Sequence, residues 1–574
     1  MQREEWEKIK RELGKPESVN DSNRDYNLLT GDLFPLKLFG QVDADTEWEE
    51  NEDKSSRLFV HTDSYEVFKH KSNLFMFGRR GSGKTALIKM FDFEINNGLH
   101  EERYNYSRII YQEDTFFRLT LELRPFFSFH SDQELTHVLK EKLIWAIYTT
   151  AMIAVTKASK SINPKLVNIR KYLADENLIE SENSHIVSTP IAKAAAIFSQ
   201  SIEMATASES WLQNAALSHA LRQLDSPQYN EALNSLVGYL KEKKHHCLVM
   251  IDSQELYRLG DAISECAVSA LIDAVLQIFN RYSTYRILAK AAFPSEMVPH
   301  LRPANRGKMA DKEHFIFWKH GDLIRLISKR YCQVLNEQDS KQKIEDGTLK
   351  KDCEQIKNHE AFVYKFIPRH TNAFCNIEFD TLAYIISHTQ KKPREVISLF
   401  NVILSMAREN NIPFTQLTSD SIREGTNVRV DDLSKGVIDM YRNIFQDADS
   451  IIKKTFNNSE SIMTYGDMHR KLHEASSFFH AEGMDRMDIE RLFAESGVIG
   501  VVESFQKYKD TDKFTCEANF EYQIKNVMTL QTNHILAIHP MFYQELNAKV
   551  YPNVLVLPKA SLTERIEMKK SIED

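Results

Sequence analysis

The stretch FMFGRRGSGKTALIKMF, from Phe75 to Phe91, decides how the rest of the sequence is interpreted. It opens with an apolar run and contains GRRGSGKT, Gly78 to Thr85, which fits the pattern GxxxxGK[ST] at every fixed position. The residues that follow, ALIKMF, have helical character. The pattern therefore predicts a glycine-rich turn between a strand and a helix, which is the setting in which it has a physical meaning.

Such a turn is suited to hold a chain of phosphates. Glycines let the backbone curl so that successive N–H groups point at phosphate oxygens, and the helix beginning near Lys84 adds its positive N-terminal end. The lysine reaches the β- and γ-phosphates, and the Thr85 hydroxyl binds Mg²⁺. The sequence thus predicts an ATP and Mg²⁺ site lined by Gly78, Arg79, Arg80, Gly81, Ser82, Gly83, Lys84 and Thr85. The two arginines either add charge near the phosphates, face a neighbouring subunit or are exposed to solvent.

A phosphate loop of this kind needs a carboxylate at the end of a buried strand to hold Mg²⁺ and its waters. The run HHCLVMID ends in Asp252, and its apolar core is typical of a central parallel strand buried on both faces. We expect Asp252 to share the metal with Thr85. No acid directly follows Asp252, so Glu255 is the nearest catalytic or water-positioning group, with a helix N-terminal charge as the alternative. Slow or conditional hydrolysis would follow from that spacing.

A further polar residue follows the next apolar run. The segment YRILAKAAF ends at Phe293 and leads into Pro294, Ser295 and Glu296. A polar side chain at this strand tip can contact the γ-phosphate or the attacking water, and Ser295 is the candidate. The alternative is a turn or a helix cap.

Composition restricts the class of protein. The chain has 574 residues, 42% of them hydrophobic and 27% charged, with a net charge of −8, so it is expected to fold into two to four domains without a general attraction to nucleic acid. Its six cysteines form no CxxC pair, which predicts a reduced, cytoplasmic protein. The apolar stretch from Leu143 to Val155 is too short to span a bilayer and predicts a buried helix, so no membrane contact is expected.

The order of apolar and polar segments predicts an α/β fold. Residues 1–57 are expected to form an acidic N-terminal segment or linker, with either a solvated tail or a docking strip for a basic partner at Asp43 to Asp53. Residues 58–300 alternate strand-like runs with helices, with a helical insertion at about 135–240. The strand-like runs are NLFMF, FRLTLEL, HCLVMI and YRILAKAAF. Residues 301–425 predict a helical lid, and residues 426–574 predict a winged-helix-like domain.

This order resembles the AAA+ superfamily, especially the branch that holds origin-recognition ATPases and STAND ATPases. It looks similar to bacterial P-loop ATPases found in defence and mobile gene clusters. The residues behind the resemblance are GRRGSGKTAL, FPSEM, FWKHGDLIRLISKRY, KKPREVISLFN and IHPMFYQEL, across about residues 58–550. The resemblance implies a P-loop AAA+-type parallel sheet, an all-α lid and a winged helix. It also implies an ATP-hydrolysing switch that controls a partner effector, with a role in antiphage defence.

The resemblance assigns further residues. A Pro-Arg pair opening a lid helix places an arginine over the nucleotide, and the matching residue is Arg394; the alternative is an ordinary salt bridge at the helix start. A homo-oligomer, as a ring or a stack, would supply an arginine from a neighbour, for which Arg302, Arg306 and Arg330 are candidates. No repeat array follows the winged helix, so a sensor or effector is expected to be a separate polypeptide.

Two further functions stay open at the level of sequence. The helix at Asp485 to Gly497 has four acids and two arginines, which favours contact with protein over contact with nucleic acid. A DNA-binding loader or targeting ATPase for replication or transposition is the first alternative. A nucleotide-stabilised scaffold with little turnover is the second, motivated by Ser253 in place of an acid.

Overall fold

The structure is a computed structural model. It describes residues 3–13, 15–18, 37–99, 104–111, 131–159, 163–180, 186–196, 226–252, 261–301, 303–339, 353, 356–372, 378–442, 444–445, 447–476, 486–507, 512–523 and 528–559. The chain divides into two compact units. We call Asp63–Arg80 with Lys84–Ile316 the sheet unit, and Met1–Thr62, Gly81–Gly83 and Phe317–Asp574 together the helical unit.

The described strands fall into a parallel sheet, an antiparallel-rich sheet and two small ladders. In chain order they are β1 Glu17–Ser18, β2 Phe75–Gly78, β3 Tyr106–Tyr111, β4 Cys247–Asp252, β5 Ile287–Pro294, β6 Glu313–Phe315, β7 His370–Asn372, β8 Glu378–Asp380, β9 Ile462–Thr464, β10 Ile499–Lys507, β11 Phe514–Asn519, β12 Ile535–Ile538, β13 Lys549–Val550 and β14 Val554–Pro558.

The α-helices of the sheet unit and of the segment before it come first in the chain. They are α1 Arg3–Glu12, α2 Ala44–Glu50, α3 Glu52–Leu58, α4 Asp63–Lys69, α5 Lys84–Asn96, α6 Asp132–Ala158, α7 Pro164–Asp175, α8 Pro227–Lys243, α9 Ala262–Asn280, α10 Tyr282–Tyr285 and α11 Pro303–Met309. Those of the rest of the helical unit are α12 His320–Asp339, α13 His359–Val363, α14 Thr381–Ser387, α15 Pro393–Glu409, α16 Ser419–Tyr441, α17 Ala448–Phe456, α18 Tyr465–Ser476 and α19 Arg486–Glu495.

The sheet unit is built on five parallel strands in the order β3-β4-β5-β2-β6. All residues of β2 and β4 are buried, because helices cover both faces of a parallel sheet. Three of the four predicted runs lie on strands of this sheet, and the fourth, 117–123, lies outside the described residues. The sequence pattern did not predict β3 and β6, because polar residues interrupt their apolar runs.

The predicted helical insertion contains α6, α7 and α8. Its first helix, α6, packs on β3, β4 and β5 and therefore forms part of the layer that covers the sheet. The stretch from Leu143 to Val155 lies in this helix and is buried, as predicted. Among the described helices only α9 has the length and apolarity of a membrane span, with a mean hydropathy of 1.7, and 67% of that window is buried. It packs against α6 and β5 as a core helix.

The helical unit contains the lid and the winged helix. Helices α12 to α16 form the lid, together with the short ladder β7–β8 that interrupts its otherwise all-α structure. Helices α17 to α19 and the sheet β14-β11-β10-β12-β9 form the winged-helix domain. The antiparallel hairpin β10–β11 lies within the predicted winged-helix-like domain, and residues 508–511 between its strands lie outside the described ranges. One apolar core runs through the lid and the winged helix.

The N-terminal segment contains folded elements of the helical unit, in contrast to the predicted tail or linker. Trp6, on α1, is 1% exposed, and its ring lies 5.6 Å from Phe505 and 6.1 Å from Tyr551. Lys10 pairs with Glu460 at 2.8 Å, and β1 adds to β13 in an antiparallel ladder. The physical reason is the spacing of Trp6, Ile9 and Leu13, which puts three apolar side chains on one helix face within a very polar sequence.

Candidate functional site

The phosphate loop follows β2 and leads into α5 at Lys84. Gly81 has φ +82° and Gly83 has φ +90°, in the left-handed region where a side chain would strain the backbone. The loop therefore has the curled form that the sequence predicts, and α5 begins at the lysine. Arg79 and Arg80 are half-buried in this loop.

The lysine of the loop is folded onto the loop itself. Lys84 is 5% exposed, and its Nζ donates to the Gly78 carbonyl at 2.7 Å and to the Arg79 carbonyl at 3.2 Å. Both carbonyls belong to the segment that enters the turn. The positive charge is thus held beside the glycine-rich backbone, where a phosphate group would compete favourably with neutral carbonyls.

The predicted metal pair is brought together. The Thr85 hydroxyl donates to Asp252 Oδ2 at 2.6 Å, and both residues are buried. Asp252 is the last residue of β4 and Thr85 lies in the first turn of α5. Because the strands are parallel, their carboxyl ends share one edge of the sheet, which is where ligands bind in open α/β folds. A hydroxyl and a carboxylate oxygen are the donors that Mg²⁺ prefers.

A carboxylate that the sequence did not single out supports the loop. Glu296, in the 3₁₀ helix Ser295–His300 after β5, is buried, and its Oε1 accepts from the Arg80 backbone N–H at 3.0 Å. Ser295, the predicted residue, is half-buried at the start of the same helix. The only signal for Glu296 was an acid two residues after a buried strand.

Residues 81–83 group with the helical unit, where two other residues of that unit contact them. The Trp318 indole N–H donates to the Ser82 carbonyl at 2.8 Å. The Arg394 backbone N–H lies 3.4 Å from the Gly81 carbonyl, and the Arg394 side chain pairs with Asp43 at 2.5 Å. Of the two alternatives for Arg394, the structure contains the salt bridge, in which both side chains are nearly half exposed.

The three arginines considered for contact with a neighbour differ in position. Arg330 is 4% exposed, forms a bidentate ion pair with Glu47 and also donates to the Phe39 carbonyl at 3.0 Å, so the expectation that it can act on another subunit is wrong. Burial and two partners within its own unit fix its guanidinium in place. Arg306 is exposed on α11 and forms no ion pair within the described residues. Arg302 and the predicted catalytic Glu255 lie outside the described residues.

The helix before the wing has its arginines paired with acids. Arg486 bonds Glu490 at 3.1 Å, and Arg491 pairs with Glu495 at 2.8 Å. Each pair lies one helical turn apart on α19, so the acids offset the positive charge that a phosphate backbone would require.

The donor set fits a nucleotide with Mg²⁺. The Ser82 hydroxyl oxygen is buried and has no hydrogen-bond partner among the described residues, which suits a loop that wraps a polar ligand. The described ranges contain no cluster of three or more His, Cys, Asp or Glu able to hold a metal alone. A two-residue set is nevertheless ordinary for Mg²⁺, which keeps several waters and takes one or two protein ligands beside phosphate.

Comparison with known proteins gives one family match. Residues 44–117, which include the phosphate loop, match the ORC-CDC6-like family model. The match covers 74 of the 574 residues and so does not assign the whole chain. No curated protein matches the sequence.

Solved structures of similar chain length also match. Cdc6p from Pyrobaculum aerophilum is 10% identical, with 89% of this chain and 97% of that chain covered and a TM-score of 0.27. The Aeropyrum pernix ORC2 protein in ADPNP–ADP complexes is 10% identical, with 84% and 89% covered and a TM-score of 0.32. Drosophila ORC bound to DNA is 9% identical, with 95% and 98% covered and a TM-score of 0.29. These scores do not establish a shared arrangement of the whole chain.

Proposed function

We propose that the chain is a P-loop ATPase, which binds ATP with Mg²⁺ and hydrolyses it as a conformational switch. The observation behind the proposal is the group formed by Lys84, Thr85 and Asp252 at the carboxyl edge of a parallel sheet. An ammonium, a hydroxyl and a carboxylate stand beside a loop with two left-handed glycines. Binding of a nucleoside triphosphate accounts for this combination of groups better than a structural role does.

Lys84 would bind the phosphates by exchanging partners. Its ammonium is held by two neutral carbonyls of its own loop, and hydrogen bonds to charged oxygens are about twice as strong as bonds to neutral ones. The loop N–H groups and the N-terminus of α5 add further donors. The lysine is therefore poised beside the phosphate position without being exposed to solvent.

Thr85 and Asp252 would hold the metal. Bound Mg²⁺ neutralises the charge that develops on the β- and γ-phosphate oxygens. In the protein the Thr85 hydroxyl donates to the Asp252 carboxylate, which keeps the two oxygens 2.6 Å apart. Asp252 is 2% exposed, so its charge acts with little screening by water.

Hydrolysis needs groups beyond the binding loop. We assign the orientation of the attacking water to Glu255 and contact with the γ-phosphate to Ser295 and Arg394. Arg394 would leave Asp43 to do so, and because both side chains of that pair are nearly half exposed, the exchange costs at most about 1 kcal/mol. Arg394 would then stay paired with Asp43 until the nucleotide binds.

A homo-oligomer would complete the site. Of the described candidates Arg306 is the exposed arginine on a helix of the sheet unit, so we assign it as the group that a neighbour supplies. An arginine supplied in trans stabilises the charge of the transition state. Turnover would then depend on protein concentration.

The biological role has two candidates. The ORC-CDC6-like match at residues 44–117 favours an ATPase of the replication-initiator type, a DNA loader or targeting protein. The paired charges on α19 favour a switch that contacts a protein effector through its winged helix. Antiphage defence and a separately encoded effector stay predictions of the resemblance, with no described contact in their support.

The test is steady-state phosphate release, with and without duplex DNA, beside ATP binding measured by calorimetry. Lys84→Ala and Asp252→Asn are expected to abolish turnover, and Glu255→Gln to abolish turnover while ATP binding persists. Lys308→Ala is the matched control, because it removes an exposed lysine paired with Asp273 in the same unit.

The outcomes separate the hypotheses. Turnover that only the site variants lose supports the ATPase, and stimulation by DNA favours the loader. Binding without turnover, with and without DNA, leaves the nucleotide-stabilised scaffold. Absence of ATP binding by the folded wild-type protein would overturn the proposal as a whole.

A further inference from the structure

A cavity of about 600 Å³ lies in the winged-helix domain, within the helical unit. Its walls come from the C-terminal half of α17, from α18 and from the turn at residues 545–547. The volume is in the range of small-ligand sites in proteins. The phosphate loop, the lid helices and α19 contribute no lining residue, so the function proposed above leaves this cavity unexplained.

The charges of the cavity favour an anion. Lys453, Lys454 and Lys471 line it, with Glu474 and Glu545 as the acids. Glu545 is compensated, because its carboxylate pairs with Lys453 at 2.6 Å. The lining thus carries three lysines against two acids, and Lys471 forms no ion pair with any described residue.

Lys471 is in a setting that an anion would improve. The side chain is half-buried, and this burial lowers the pKa of its ammonium. Glu474 and Glu460 offset part of the effect, while Lys549 and Arg470 lower the pKa further. A lysine that is partly desolvated gains more from a negative ligand than a lysine in open solvent does.

A buried donor points to the same ligand. Thr455 lines the cavity and is 1% exposed, and its hydroxyl oxygen has no hydrogen-bond partner among the described residues. A buried hydroxyl without a partner is costly in a folded protein, and a ligand oxygen would satisfy it. Asn457 and Asn547, which bond each other at 3.1 Å, supply further polar groups at the rim.

We propose that the α17–α18 cavity, which contains Lys471 and Thr455, binds a phosphate group, from either a free phosphate ester or the backbone of a nucleic acid. Ammonium and hydroxyl donors around a cavity are the groups that recognise phosphate oxygens. The cavity is a second phosphate site, separate in sequence from the P-loop, and α19 contributes none of its lining residues.

The test measures the chemical reactivity of one lysine, so that binding at the P-loop does not interfere. The full-length protein is acetylated with a limiting amount of sulfo-NHS-acetate at pH 7.5, and each lysine is quantified by peptide mass spectrometry. The probes are inorganic pyrophosphate and a 24-base-pair DNA duplex. Lys435 serves as the internal control, because Asp431 pairs with it at 2.6 Å and raises its pKa.

We expect at least one probe to lower the acetylation rate of Lys471 about fivefold or more, with Lys435 unchanged. Protection by pyrophosphate alone assigns a free phosphate ester, and protection by the duplex assigns the nucleic-acid backbone. Protection of Lys471 by the duplex is expected to weaken as the salt concentration rises from 50 to 200 mM, because contacts with DNA phosphates release counterions. Protection of Lys471 by neither probe would overturn the proposal.

Two variants test the assignment of donors without disturbing the fold. Thr455→Val keeps the shape of the side chain and removes the hydroxyl, so the protection should weaken while the melting temperature does not fall. Glu474→Gln removes the opposing charge, so the protection should appear at lower probe concentrations. If Lys471 is protected from acetylation equally, at the same probe concentrations, in the wild type and in both variants, the phosphate does not lie in this cavity.

Discussion

Substitution of Glu296 tests how the phosphate loop is held. Glu296 Oε1 accepts the Arg80 N–H at 3.0 Å within the sheet unit, and the carboxylate is buried. A hydrogen bond to a charged group contributes about 1.5–3 kcal/mol. If this bond fixes the loop in its binding form, Glu296→Ala should weaken ATP binding about 10- to 100-fold, since each 1.36 kcal/mol is tenfold.

A second variant separates the hydrogen bond from the charge. Glu296→Gln keeps an oxygen acceptor for Arg80 and removes the negative charge, which would otherwise repel phosphates. We expect Glu296→Gln to bind ATP at least as tightly as the wild type, in the opposite direction from Glu296→Ala. Calorimetry with a non-hydrolysable ATP analogue gives the affinities, and thermal melting without nucleotide shows whether each variant is folded. ATP affinity within twofold of wild type for the folded Glu296→Ala protein would refute the reasoning.

Three further results are expected. Trp6→Ala should lower the free energy of unfolding by about 3–5 kcal/mol in urea titrations, because a fully buried indole is lost; a change below about 1 kcal/mol would contradict the docking of α1. Arg306→Ala should lose turnover and keep its ATP affinity. Mixing this variant with Lys84→Ala should restore part of the turnover, and if it does not, Arg306 does not act on the site of a neighbouring subunit. Burial lowers the pKa of His388 to about 4. The contribution of neutral His388 to the free energy of unfolding should therefore be fully present above pH 6.5 and should be lost as pH drops from 6.5 to 4, by up to about 1.4 kcal/mol per pH unit. His388→Gln should flatten that dependence in denaturation curves measured at pH 7 and pH 5.

Local patterns predicted the core of the site. The spacing of GRRGSGKT places Lys84 and Thr85 one after the other, and the apolar run before Asp252 identifies a buried strand with an acid at its end. The contact between them spans 167 positions of sequence, yet it follows from parallel pairing, since each strand ends at the same edge of the sheet. The fold class could be predicted for the same reason.

Contacts made through the backbone could not be predicted in this way. Glu296 supports the loop through the N–H of Arg80, and every residue except proline offers such a group, so no side-chain pattern marks the partner. Ser295 was favoured because its hydroxyl is a familiar polar group at a strand tip. The sequence located this turn but not the support from Glu296, and contact of Ser295 with the γ-phosphate stays a prediction.

The N-terminal segment shows how composition can conceal structure. Its acids suggest a solvated strip, yet Glu47 forms a buried ion pair with Arg330, and Asp43 both caps α2 and pairs with Arg394. Removing one partner of a buried pair leaves an uncompensated charge, at a cost of about 3–5 kcal/mol, so Arg330→Ala should destabilise the helical unit itself. Loss of turnover in that variant would therefore measure unfolding, and only an exposed arginine such as Arg306 gives a clean test of action on a neighbour.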